Sequence, residues 1–246
     1  GGKSYPLTGS KGDGYILARS VGHKVTAIKP SLVPLVCSNN FVPKLQGLSL
    51  KNISVTLFED EKEIFTDFGE MIFTHYGMSG PVILSASSHI RNMGKKDYKI
   101  EIDFKPALDL QTLDKRLQKD FSEFSNKDFI NSLSKLLPKK LIPVIVLISG
   151  ILPNTKCNQI TKEQRQALAH LLKHFTVNVS GFRPVEEAIV TSGGVDVKEL
   201  DPKTMKSKIV DNLYFIGEVI DVDAYTGGFN LQVAFSTAAV CAENME

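Results

Sequence analysis

Leu213-Tyr214-Phe215-Ile216-Gly217-Glu218-Val219-Ile220-Asp221-Val222-Asp223-Ala224-Tyr225-Thr226-Gly227-Gly228-Phe229-Asn230-Leu231-Gln232 decides the fold assignment. Four apolar residues stop at Gly217, which reads as a buried strand closed by a glycine. A loop through Asp221, Asp223 and Tyr225 follows, and then a helix from Leu231 to about Asn244. Strand, glycine turn and helix make half of a mononucleotide-binding layout. Glu218, immediately after the strand, has the chemistry to accept hydrogen bonds from sugar or ribityl hydroxyls. Gly227 and Gly228 let backbone approach a ligand without a side-chain clash. The helix start that follows favours negative charge, such as develops on a flavin's N1 and C2 carbonyl edge on reduction. The alternative is an ordinary strand-to-helix turn with a solvent-facing glutamate.

Outward from this stretch, the chain divides into β, α and β blocks. The opening Gly1-Gly2-Lys3-Ser4-Tyr5-Pro6 has no Met and no helix cap, and reads as an excised segment. Gly12-Asp13-Gly14 opens a short helix that ends by Gly22, and a glycine loop at a helix start offers free amides to phosphate or a polar cofactor edge. From 24 to 104 short strands are expected at 25–28, 32–36, 53–58, 63–68, 71–74 and 98–104. Several alternate apolar and polar residues, as in Ile53-Ser54-Val55-Thr56-Leu57, which implies a small antiparallel sheet or barrel. Leu110, Leu113, Leu117 and Phe121 begin a helical stretch that runs to His174, with a capping signal at Thr161-Lys162-Glu163-Gln164. Strand character returns at 175–180 and 187–191.

Composition narrows the classes. Hydrophobic residues at 42% and charged residues at 23% are ordinary globular values. The net charge of +2 comes from 29 basic and 27 acidic residues interleaved along most of the chain, which gives nucleic-acid binding no support. Lys139-Lys140 and 91–96 are the densest basic stretches and read as solvated surface. The most apolar run, 141–152, contains Pro143 and Gly150 and is too short to span a bilayer of about 30 Å. Cys37, Cys157 and Cys241 form no CxxC pair, so neither a disulfide framework nor a zinc site is expected and a cytoplasmic, reducing compartment fits.

The quoted C-terminal stretch, with Ala234-Phe235-Ser236-Thr237 after it, resembles the signature of the aminoacetone oxidase and BaiN-like family of NAD(P)/FAD-dependent oxidoreductases. Three other stretches share the likeness: 1–15, Phe73-Thr74-His75-Tyr76-Gly77-Met78-Ser79-Gly80-Pro81, and Glu186-Glu187-Ala188-Ile189-Val190-Thr191-Ser192-Gly193-Gly194-Val195. The resemblance implies an α/β protein with inserts. A partial, Rossmann-like FAD-binding domain (1–22 and 191–246) is interrupted by a β-barrel-like insert (23–108 and 175–190), which itself carries a helical subdomain (109–174). It also implies FAD as cofactor with NAD(P)H as a possible reductant, and transfer of a hydride or electron pair to a small organic substrate.

By the same resemblance Glu218 takes the ribityl-binding position, and Gly227, Gly228, Asn230 and Leu231 the helix start beneath the isoalloxazine; Gly217, at the strand end, is grouped with the cofactor-binding residues. Gly12 and Gly14 lie near the cofactor's middle, and Gly193 and Gly194 approach the flavin. One departure matters: the family's G-x-G-x-x-G is absent from these 246 residues. Without that anchor for pyrophosphate, this chain alone is expected to hold FAD weakly or not at all. An isolated ligand- or partner-binding insert module is the competing reading.

His75 and Tyr225 are the candidate catalytic side chains. His75 lies in a Gly- and Ser/Thr-rich segment and has the chemistry of a proton donor or substrate anchor, against a histidine that merely hydrogen-bonds at a domain joint. Tyr225 and Tyr76 are weighed against packing aromatics. His23, His89, His170 and His174 have no partner visible in sequence. Ser79-Gly80-Pro81 lacks the G-x-S-x-G elbow of a nucleophile. Asp221 and Asp223 beside Glu218 form a carboxylate group without a His or Cys, and no metal is expected. Substrate identity and oligomeric state carry no sequence signal.

Overall fold

The computed structural model describes residues 1–245. Along the chain the elements are α1 (Asp13–Ser20), β1 (Lys29–Ser31), β2 (Leu35–Cys37), β3 (Ser49–Glu59), β4 (Lys62–Phe73), β5 (Gly77–Ser79), α2 (Pro81–Ser87), β6 (Tyr98–Asp103), α3 (Leu110–Glu123), α4 (Phe129–Ser132), α5 (Ile142–Ser149), α6 (Lys162–Lys173), β7 (Phe175–Phe182), β8 (Val190–Ser192) and α7 (Phe229–Asn244). They fall into two compact units. One contains Gly1–Leu35, Ile83–Arg91 and the residues from Phe182 onward; the other contains Val36–Val82 and Asn92–Gly181.

The second unit is built on a closed barrel in the order β2-β5-β4-β3-β6-β7. Period-two burial explains it, because successive strand side chains point to opposite faces. Leu50, Ile53, Val55 and Leu57 of β3, Tyr98, Ile100 and Ile102 of β6, and Phe175, Val177 and Val179 of β7 are all buried. Register stacks them: Val55 faces Ile102, Leu57 faces Ile100, and Ile100 and Ile102 face Val177 and Phe175. Each such side chain contributes about 1.5–3 kcal/mol of burial. The register of β3 on β4 slips between Leu50 and Ile53, where Asn52 has φ +54°, a bulge that bends the strand around the barrel. Asp60 and Glu61, both with positive φ, make the tight β3–β4 turn.

Between β6 and β7 the chain leaves the barrel to form the helical insert. Asp109 caps α3 by accepting from the Thr112 amide at 2.6 Å, and Thr161 with Gln164 closes a reciprocal capping box on α6. Leu113, Leu117 and Phe121 of α3 are buried with Leu168 and Leu172 of α6. Arg165 grips Asp114 through two bonds of 2.7 and 3.1 Å. The mixed α/β class and the barrel agree with the expectation from alternating strands. Pro143 sits in the first turn of α5, and Gly150 at φ +72° ends that helix.

The first unit pairs β1 with β8 antiparallel, Lys29 opposite Ser192 and Ser31 opposite Val190. Its core joins Tyr15 and Ala18 of α1 to Val195, Leu200, Phe215, Val219 and Ile220. Here the expectation of a strand over 213–216 is corrected. Phe215 donates to the Met205 carbonyl, and Ser207 donates to that of Leu213, so the apolar run spends its backbone bonds on a local hairpin. Gly217–Val219 then forms a 3-10 turn. The strand expected at 187–191 likewise shrinks to β8 behind a 3-10 turn at Val185–Glu187.

Candidate functional site

The first unit carries an open cavity of about 470 Å³ whose lining includes Gly217, Glu218, Tyr225, Gly227, Gly228, Asn230 and Leu231. The sequence had grouped all seven, and the fold brings them together. Two positive-φ glycines, Gly227 at +106° and Gly228 at +90°, turn the chain into α7, and only Gly228's backbone caps the helix, with no side chain bonded there. A Cβ built on Gly228 would meet nothing within 4 Å, so the space before the helix start is open to a ligand. Leu231 and Phe235 of α7 are exposed. Open space, amide donors and apolar side chains are a donor set that fits the planar, polar-edged ring of a flavin.

Asn230 organises the loop that forms one wall. Its Oδ1 accepts from the Ala224 amide at 2.9 Å and its Nδ2 donates to the Ala224 carbonyl at 2.8 Å and the Tyr225 carbonyl at 3.3 Å. One side chain therefore fastens residues 224 and 225 to the first turn of α7. Thr237, two turns further, accepts the Gly217 amide at 3.0 Å and ties the opposite wall to the same helix. Asp223 is fixed by the Ser31 and Ser192 hydroxyls at 2.6 and 3.0 Å.

Glu218 is less free than its sequence position implies. Its Oε1 accepts from the Thr191 amide at 2.9 Å and from the Ser4 hydroxyl at 3.4 Å. Thr191 Oγ1 in turn accepts the Lys3 and Ser4 amides. The carboxylate thus tethers Ser4 to β8. Burial and the Glu218 charge push the Tyr15 phenol up to about 12, so Tyr15 is neutral at physiological pH and donates to the Glu218 carbonyl at 3.2 Å.

The remaining expected site glycines serve chain crossings. A Cβ on Gly193 would lie 2.3 Å from the Ala27 carbonyl oxygen, and one on Gly194 2.5 Å from that of Val219. Gly14 admits Val219 against α1, where a Cβ would stand 2.8 Å from its Cγ2. Gly12 caps α1 at φ +84°. His75 belongs to the barrel unit, exposed on the turn between β4 and β5, with its ring edge-on to Tyr76.

Two histidines passed over in the sequence have partners distant along the chain. His89 Nε2 lies 2.6 Å from the Tyr225 hydroxyl. His23 is buried, with Nδ1 2.9 Å from Glu199 Oε2 and Nε2 2.7 Å from Ser207 Oγ. That order of serine, histidine and carboxylate matches a nucleophilic triad. Ser207 Oγ already accepts the Ile209 and Val210 amides at 3.0 and 2.8 Å and is itself buried, so the cluster is a structural pin. Among the described residues no group of three or more His, Cys, Asp and Glu is arranged to hold a metal, and no helix is long and apolar enough to cross a membrane.

Comparison with known proteins adds independent information. The chain is 32% identical over 245 residues to the ribosomal RNA dihydrouridine synthase of Escherichia coli (strain K12), covering 100% of this chain and 59% of that protein. It is 31% identical over 239 residues to the 3-dehydro-bile acid delta(4,6)-reductase of Clostridium scindens, covering 96% and 58%. It is 33% identical over 245 residues to the ribosomal RNA dihydrouridine synthase of Haemophilus influenzae, covering 98% and 58%. The chain therefore spans about three-fifths of the length of these relatives. A family profile described as the HI0933-like protein barrel and H2TH domain matches residues 29–190. Those limits run from β1 to β8 and contain the closed barrel with its helical insert, so the chain belongs to the HI0933-like family.

Proposed function

We propose that this chain is the barrel, helical insert and C-terminal cofactor portion of a flavin-dependent oxidoreductase that saturates a carbon–carbon double bond conjugated to a carbonyl. The supporting observation is the cavity at the start of α7, which no side chain caps, open in front of Gly228 and walled by the Asn230-fastened loop. The names of the relatives point to the same chemistry. Making dihydrouridine and reducing a delta(4,6) dienone both add two hydrogens across an activated double bond. Bound flavin supplies the hydride. The residues of this chain would supply its seat: the α7 amides for the polar edge, Glu218 for a ribityl hydroxyl, and Leu231 with Ala234 for the apolar ring. The Rossmann-like fold of the cofactor portion, and a nicotinamide as the source of the electrons, are parts of the same proposal.

For the substrate, a pyrimidine within RNA is favoured over a free small molecule. The expectation against nucleic acid came from the charge of the whole chain. Residues 105–174 carry 12 Lys and Arg against six Asp and Glu, a net +6, which leaves the remainder at −4. In that insert Lys135 bonds Glu123, and with Lys119 and Lys127 nearby it holds the carboxyl below its usual range. A net positive segment favours a polyanionic substrate such as RNA. The test is turnover by the intact protein with a reduced nicotinamide, offered ribosomal RNA from cells lacking the protein and, separately, a steroid dienone. The expected product is RNA bearing one uridine two hydrogens heavier. Reduction of the dienone alone would move the substrate to small molecules. Oxidation of an aminoketone with peroxide release, as the aminoacetone oxidase resemblance implies, and no alkene reduction would overturn the reading.

A further inference from the structure

Tyr225 lines the cavity, and two features hold it there. Its backbone carbonyl and that of Ala224 are bonded to Asn230, which fixes where the residue starts. Its hydroxyl meets His89 Nε2 at 2.6 Å, with the two rings tilted 32° and their centroids 5.7 Å apart, which fixes where it ends. His89 stands on a firm base. It follows α2 with its amide bonded to the Ala86 carbonyl at 3.1 Å. Ala86 and Ser87 are buried, and Ser87 Oγ accepts the Val33 amide at 2.9 Å. A tyrosine on a glycine-flanked loop is thereby tied to the segment that follows α2 in the same unit.

We propose that His89 is a positioning residue that holds the Tyr225 hydroxyl at the cavity as the proton donor for double-bond reduction. The proposal rests on the reductase reading above and names two residues that serve it. The proton leaves the Tyr225 oxygen and forms a C–H bond at the carbon next to the substrate carbonyl. The hydride, with both electrons, comes from a dihydroflavin and bonds to the other alkene carbon. Water returns a proton to the phenolate. Burial and the neighbouring Arg91 hold the His89 imidazole below its ordinary range, so at neutral pH it is an uncharged hydrogen-bond partner. Placing a phenol within a few tenths of an ångström of its productive position is the kind of constraint that separates efficient from poor general acids.

Two readouts on the intact protein test this. In the flavin-free state, ring resonances of ¹³C-labelled tyrosine are recorded, with Tyr225→Phe identifying the Tyr225 signal. His89→Ala is expected to shift and broaden that signal, and His89→Gln to restore most of it. In turnover, Tyr225→Phe and His89→Ala should each lower kcat roughly 100-fold with KM little changed. The double variant should be no worse than Tyr225→Phe, because both act through one proton. An unmoved Tyr225 resonance in His89→Ala would overturn the positioning role whatever the activity. Additive losses, or an effect on KM alone, would overturn the proton-donor role. Absence of alkene reduction in the wild-type protein, with the resonance shifted as expected, would sink the reductase reading and the donor role with it while leaving the His89–Tyr225 tether standing.

Discussion

Gly193→Ala is expected to destabilise the first unit by about 3 kcal/mol or more, a loss large enough to unfold a domain of ordinary stability. The added methyl would stand 2.3 Å from the Ala27 carbonyl oxygen, 2.9 Å from its carbon and 3.2 Å from Ile28 Cα. Those are backbone atoms and cannot swing away. They are also pinned, since the Thr26 amide donates to the Gly194 carbonyl at 2.8 Å and the Gly194 amide to Thr26 Oγ1 at 3.0 Å. The backbone at Gly193, φ +88°, adds the left-handed penalty of about 1–2 kcal/mol. Gly9→Ala isolates that penalty, because Gly9 has φ +97° and nothing within 4 Å of its Cβ position. Denaturant unfolding of both variants should show Gly193→Ala falling well below Gly9→Ala. Equal losses would mean that the crossing of 27–28 over 193–194 is not as close as described.

Asn230→Ala is expected to weaken flavin binding by about 10- to 100-fold while lowering overall stability by only about 1 kcal/mol. The asymmetry follows from where the side chain sits. Its three bonds all go to the backbone of residues 224 and 225, at a partly exposed place where water replaces them once the amide is gone. What water does not restore is the fixed shape of the loop, and an unordered wall must be ordered again by the ligand. Asn230→Asp should be nearly as damaging, because a carboxylate keeps the acceptor for the Ala224 amide but faces the Ala224 and Tyr225 carbonyls without a donor. Flavin titration followed by fluorescence, together with hydrogen exchange at 224–226, measures both effects. Unchanged affinity with faster exchange would show that the loop does not touch the ligand.

How far the sequence reveals this molecule depends on the range over which its signals act. Alternation in β3, β6 and β7 and the capping pair Thr161 and Gln164 are local, and the elements they imply are present. Closure of the barrel is not local: it depends on β2 and β5, three residues each, too short to show a period. The apolar run 213–216 has the composition of a strand because its residues face a core. Whether its amides join a sheet or a hairpin is set by 205–207, which nothing in the run itself reveals. Glycine pairs pose the same problem. Gly228 faces open space and Gly227 only the Phe229 ring, whereas Gly193 and Gly194 face protein backbone, and the letters are alike. His89 and Tyr225 are 136 residues apart, so their pairing is visible only once α2 and the 221–226 loop have been placed.

Flavin content of the purified intact protein tests the central claim most directly. After gel filtration, absorbance should give about one flavin per polypeptide, and Gly228→Val should reduce that to a small fraction, because the new side chain would occupy space that the chain itself leaves empty; Gly9→Val, which carries the same left-handed backbone strain at φ +97° with open space around it and does not line the cavity, should keep its flavin. A wild-type protein that emerges colourless and takes up no flavin on titration would contradict the account, as would full flavin occupancy in Gly228→Val.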